Sequence, residues 1–222
     1  MKFKFLKMAF AGLVLSVSGF ASAGIIVHTS DFINDVDISN FNGFESILND
    51  GTFFTGGSGP YIEDLISVSQ INGDAGNDIW VASNFWTGFE GNYGWYPNGG
   101  GTGYTLIELA SGSEFNNIGF NYGSGGGASN ILFELFNDGA LVLQGNESLL
   151  STLNYLGFSG GGFDEIRIRD NYSSSNFYSG AQTLAIDSIK IGASVDVPEP
   201  STLAIFALGM IGLASRRFKK QS

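Results

Sequence analysis

All but Gly12, Gly19, Gly209 and Gly212 of the 33 glycines lie between Gly24 and Val195. A glycine inside a helix costs about 1 kcal/mol relative to alanine, so a body this rich in glycine is not built from helices. No stretch of it sustains a 3.6-residue apolar period. Short apolar runs alternate instead with Gly/Asn/Ser/Asp clusters, the pattern of strands joined by turns. The sequence predicts an all-β fold: a single antiparallel β-sandwich, jelly-roll-like, with an immunoglobulin-like sandwich as the alternative.

Four strands stand out. Ile131–Phe136 and Ala140–Gln144 flank Asn137-Asp138-Gly139, and Asp-Gly between β-rich runs signals a hairpin. Phe163–Asp170 alternates, with Ile166 and Ile168 on one face and Glu165, Arg167 and Arg169 on the other. Ala181–Ile191 shifts its apolar parity between Ile186 and Ile189, which a bulge near Asp187-Ser188 would absorb. Leu65–Ile71, Asp78–Ser83, Tyr104–Leu109 and Asn117–Tyr122 are further strand candidates. Ile38–Leu48 reads equally as a short helix or a strand and turn.

Charge separates the body from the ends. Lys2, Lys4 and Lys7 open the chain, and Arg216, Arg217, Lys219 and Lys220 close it. Between them lie only Arg167, Arg169 and Lys190, against 21 acidic residues. Such a body repels phosphate polymers, which excludes nucleic acid as a partner. The N-terminal lysines precede an apolar run, Met8–Phe20, and then Ala21-Ser22-Ala23. That order is a secretory signal peptide with cleavage after Ala23, leaving Gly24 first. An amphipathic or buried N-terminal helix is the competing account. The chain divides into a signal peptide over 1–23, a sandwich domain over 24–196 and a C-terminal signal over 197–222.

The C-terminal signal has three parts. Val197-Pro198-Glu199-Pro200 leads into an apolar run, Leu203–Ala214, and the basic cluster that includes Arg216 and Arg217 follows. As a helix, the uncharged stretch Ser201–Ser215 spans about 22 Å, short of a hydrocarbon core of about 30 Å. This order resembles the PEP-CTERM sorting signal of exported proteins of Gram-negative bacteria. The resemblance implies that an exosortase-type sorting peptidase reads Pro198, Glu199, Pro200, Arg216 and Arg217. It also implies transient anchoring in the membrane by the C-terminal helix, then a place at the cell surface or outside, with biofilm and exopolysaccharide as the setting. An uncleaved tail anchor or a core helix is the competing account. The resemblance does not reach the body.

Composition narrows the chemistry of the body. There is no Cys and one His, His28, so thiol catalysis, Cys-ligated metals and His-rich metal sites are excluded. Gly123–Ala128 fits a dinucleotide-loop pattern only superficially, because it lacks a βαβ context. No catalytic residues are assigned, and the expected protein is not an enzyme. All three tryptophans, Trp80, Trp86 and Trp95, fall in one window with Phe85, Tyr93 and Tyr96. Trp86, Trp95 and Tyr96 are the candidate ligand surface, because aromatic faces beside amides suit sugar rings; core packing is the alternative. Asp74 and Asp78 in the turn Asn72–Asp78 are the candidate Ca²⁺ ligands, against an Asx-rich turn, and no other cofactor is expected. Asp164, Glu165 and Asp170 flank Arg167 and Arg169, a pattern of cross-strand ion pairs on a solvated face. Three functions compete: a carbohydrate-binding surface or matrix protein, a glycan-active enzyme, and a purely structural protein. A cleft with two carboxylates, one of raised pKa, would favour the enzyme.

Overall fold

The computed structural model describes residues 24–46, 53–56, 60–71, 77–81, 89–97, 101–150 and 154–193. Ala23–Ala193 form one compact unit. Its strands are β1 (Ile26–His28), β2 (Ile38–Asn42), β3 (Phe53–Gly56), β4 (Tyr61–Glu63), β5 (Ile66–Ile71), β6 (Asn77–Val81) and β7 (Tyr93–Trp95). They continue as β8 (Tyr104–Leu109), β9 (Phe115–Ser124), β10 (Asn130–Asn137), β11 (Ala140–Ser148), β12 (Asn154–Phe163), β13 (Glu165–Asp170) and β14 (Leu184–Gly192).

These strands make two antiparallel sheets. One runs β1-β12-β9-β14-β7-β6-β3, with β2 also on β14; the other runs β11-β10-β13-β8-β5-β4. The inward side chains of both form one core. Ile118, Phe120, Leu156, Phe158 and Ile186 come from the first sheet, and Val68, Ile107, Phe133, Ile166 and Ile168 from the second. Phe133 and Phe158 meet across it edge to face, 5.1 Å between ring centroids. The fold is thus an antiparallel β-sandwich of jelly-roll type, as the glycine content and turn spacing predict.

The local signals behave as their chemistry requires. Asp138 and Gly139 sit at φ 49° and 75° between paired Asn137 and Ala140. This is the left-handed pair of a type I′ turn, which matches the twist of its strands. The parity shift in β14 is a bulge: its register with β9 jumps between Asp187 and Lys190, and Ser188 takes φ 54°. Ile186 and Ile189 both stay in the core as a result. Within Ile38–Leu48, Ile38–Asn42 is a strand.

The bulge also buries Asp187 completely. One carboxylate oxygen accepts from the Glu90 amide (2.6 Å) and the Ser188 hydroxyl (3.1 Å); the other has no partner. Desolvation pushes its pKa from 3.8 up to about 7. A folded pKa above the unfolded one favours the folded state at low pH, and that contribution is lost as pH rises from about 4 through about 7. Asp187→Asn should remove this slope. We expect the variant to match the native protein near pH 4 and to exceed it at pH 8 by on the order of 3 kcal/mol. Thermal unfolding of both proteins across that range checks it; a difference that does not grow with pH contradicts it.

Candidate functional site

Strand alternation decides which side chains leave the core of the six-stranded sheet. Leu135, Ile166 and Ile168 point inward, so Glu134, Phe136, Glu165, Arg167 and Arg169 point out. Register places Glu134 opposite Arg167 and Glu165 opposite Glu108. The connection from β13 to β14, Asn171–Thr183, folds back over this outer face.

Arg169 braces that connection. Its guanidinium donates to the carbonyls of Phe177 (3.0 Å), Ser179 (2.6 Å), Gly180 (2.9 Å) and Ala181 (3.0 Å), and Nε donates to Asp170 O (3.0 Å). It is fully buried, which corrects the expectation of a solvated ion pair. Burial lowers its pKa. The neighbouring Asp170 ties the two ends of the connection. Its carboxylate accepts from the Tyr172 and Thr183 amides and from the Ser124 and Thr183 hydroxyls.

The braced segment presents Tyr178. Its hydroxyl donates to Glu134 Oε2 at 2.6 Å and accepts from Arg167 at 3.2 Å. Burial and the Glu134 carboxylate raise its pKa, so the phenol keeps its proton and donates. Tyr104 meets the ring edge-on at 5.9 Å. Arg167 is paired with Glu165, and its guanidinium lies 3.9 Å from the Phe136 ring centroid. Tyr178 nevertheless remains 55% exposed. It is an aromatic ring held at its edge and its tip, with surface left open to solvent. Nearby, Glu108 and Asp164 line a cavity of about 380 Å³ with Ser67 and Ile62. Burial, then Glu165 and Asp164, raise the pKa of Glu108.

The aromatic surface expected from sequence is a different one, and the structure takes Trp95 out of it. Trp95 is fully buried. It pairs with both Ile186 and Ile79, and its Nε1 donates to Thr105 Oγ1 of the opposite sheet at 2.9 Å. A three-residue strand with Gly94 at its centre carries too few residues to show a period. Tyr96 is half-buried and packs against Gly125, where a Cβ would collide with its hydroxyl. Trp86, Asp74 and the side chains of Trp80 and Asp78 lie outside the described residues, as do Ala21 and Ala23. Gly24 is described and exposed; its carbonyl abuts Gly160.

Nothing in the sequence joins Tyr178, Arg167 and Glu134 into a site. Their meeting depends on cross-strand register and on a loop returning over its own sheet. The one available signal was the pair of arginines in a body otherwise holding a single lysine.

The described fold closes at Ala193, whose amide donates to Asp37 O at 2.7 Å. Just beyond, the family model described as the PEP-CTERM protein-sorting motif matches residues 196–220. This chain ends in a PEP-CTERM sorting motif. The motif implies export, processing by an exosortase and sorting to the cell surface. Pro198, Glu199, Pro200, Arg216 and Arg217 all fall within the match but outside the described residues. Among the described residues no helix is long and apolar enough to cross a membrane, and the Leu203–Ala214 run is not among them.

No curated protein matches the chain. Two solved structures of a family 29 carbohydrate-binding module are similar to it, both at 10% identity and a TM-score of 0.29. One, an aspartate-to-alanine mutant complexed with mannohexaose, covers 79% of this chain and 99% of its own. The other, a second such mutant, covers 81% and 95%. So loose a superposition carries no information about a ligand.

Proposed function

We propose that the protein is an exported surface or matrix component that binds neutral carbohydrate without transforming it. Its C-terminal apolar run, Leu203–Ala214, would hold it in the membrane until the sorting peptidase acts. The observation behind the binding reading is the exposed Tyr178 ring, already fixed by Glu134, Arg167 and Tyr104. A sugar stacking on it would meet a ring with little rotamer freedom left to lose, which lowers the cost of association. The local charge, one guanidinium between Glu134 and Glu165, disfavours anionic polymers, as does the acidic body. Exopolysaccharide of neutral repeat is the fitting partner. Stacking and hydrogen bonds suffice for this, so the reading calls for no cofactor.

Tyr178→Ala should weaken retention on neutral polysaccharide gels about tenfold or more, while the melting temperature stays within a few degrees of native. Unchanged retention on every gel would remove Tyr178 from the site. The raised Glu108 beside Asp164 favours a second reading, a glycan-active enzyme with Glu108 as proton donor. New reducing ends appearing in the same incubations would support that reading over the first.

A further inference from the structure

The Tyr178 surface and the cavity beside Glu108 lie on the same face of the six-stranded sheet. Register sets Phe136, Glu165, Glu108, Ser67 and Ile62 in one row across β10, β13, β8, β5 and β4. Leu135, Ile166, Ile107 and Val68 beside them are in the core, so alternation turns the whole row outward. Glu134, Arg167, Leu106 and Ser69 form the next row, two residues along. Tyr178 bonds to the first two of these, Glu134 and Arg167. Ile62, Ser67 and Glu108 line the cavity at the far end of the first row, with Pro60 and Asp164. The Arg167–Glu165 pair stands between the two places, and half-buried Leu106 adds to the floor beside it. Burial first, then Glu165 and Asp164, raise the pKa of Glu108, and Arg167 opposes them, so the two ends lie within electrostatic reach of each other.

We infer that the two places are one track for a linear glycan, with the Tyr178 ring at one end and the cavity at the other. Tyr178 stands over β10 and β13, and the cavity lies over β8, β5 and β4. Two strand spacings of about 4.8 Å and two residues of about 3.4 Å each separate them, roughly 12 Å in all. A single pyranose cannot reach both ends, and an oligosaccharide can. At the cavity, Ile62 and Pro60 offer an apolar wall to the C–H face of a sugar. The Ser67 hydroxyl and the carboxyl groups of Glu108 and Asp164 supply partners for its hydroxyls. The same carboxyl groups turn away uronic acids and other anionic sugars. Between the ends, Leu106 and the Arg167–Glu165 pair make a shallow floor that the chain crosses. The choice of a glycan rests on the carbohydrate reading given above; what is added is that the ligand is recognised as a chain.

The test titrates the exported protein in a calorimeter with manno- and cello-oligosaccharides, from the monosaccharide to the hexasaccharide. A chain that reaches both ends makes its second contact intramolecularly. For at least one series, affinity should therefore step up about tenfold or more once the chain bridges them. Glu108→Ala and Ile62→Ala should each remove the step and leave the short chains, held at Tyr178, bound as in the native protein. Both should keep the native melting temperature, because Ile62 is 52% exposed and Glu108 stands opposite a like charge at Glu165. Tyr178→Ala should weaken every length. A step that survives both cavity variants, or affinity that shows no step, would overturn the track and leave the Tyr178 surface standing. Cavity variants that weaken binding while Tyr178→Ala does not would overturn the surface, and the track with it. No binding at any length would remove the carbohydrate reading as a whole. Reducing ends released by the native protein but not by Glu108→Ala would make the cavity a cleavage site and overturn its role as the passive end of a track.

Discussion

Arg169→Met should lower the melting temperature of the domain by about 10 °C. The substitution roughly keeps the volume of the side chain, strands the carbonyls of Phe177, Ser179 and Gly180 without the guanidinium, and leaves Ala181 O with the Ser173 hydroxyl alone. Uncompensated buried polar groups on this scale cost on the order of 3–5 kcal/mol, and a domain of this size loses about 2–4 °C per kcal/mol. Arg169→Lys should not rescue it, because a compact ammonium with three donors cannot reproduce a planar fork that spans four carbonyls. Both variants should also lose glycan retention, since the loop that carries Tyr178 is held by this side chain. Calorimetric melting of the three proteins decides the matter, and a native-like Arg169→Met would show that the Asp170 and Tyr178 contacts hold the loop without it.

Trp95→Ala should be destabilising to a similar degree, about 3–5 kcal/mol. The indole fills the core between β6 and β14, and its loss also leaves Thr105 Oγ1 without a donor. Trp95→Phe separates the two contributions: most of the packing stays and only the N–H is lost, a cost of about 1 kcal/mol. Denaturant melts of both variants measure this. Native stability in Trp95→Ala together with lost glycan retention would return the residue to the ligand surface that its sequence neighbours suggest.

The contrast between Trp95 and the β10–β11 hairpin shows where sequence reasoning stops. Asp138-Gly139 carries its own backbone preference, so two residues define the turn wherever they occur. The parity shift between Ile186 and Ile189 is equally local, and it marks the bulge. β12 carries no such signal, because Gly157 and Gly160–Gly162 interrupt any alternation of apolar residues along it. In the structure Gly160, Gly161 and Gly162 take φ 106°, 70° and 77° and loop out between Ser159 and Phe163. The strand resumes against β9 on the far side. Alternation puts Arg169 on the face where the structure has it, and what covers that face is a segment that alternation within one strand cannot reveal. The C-terminal motif lies at the other extreme: its three parts are contiguous, and their order alone is diagnostic.

All nine residues of β14 are buried, and this strand joins β9 on one side to β7 and β2 on the other. It is also the last strand among the described residues, ending at Gly192, four positions before the matched sorting motif begins. A chain crossing a membrane N-terminus first would therefore reach the outside without its central strand until nearly the last moment. Until Leu184–Gly192 emerge, β9 and β7 have nothing to pair through, and the inner faces of both sheets stay incomplete. Completion of the fold and arrival of the sorting motif at the membrane then fall within a few residues of translocation of each other. The timing lets the sorting peptidase meet a domain that has just closed rather than one still exposing its core.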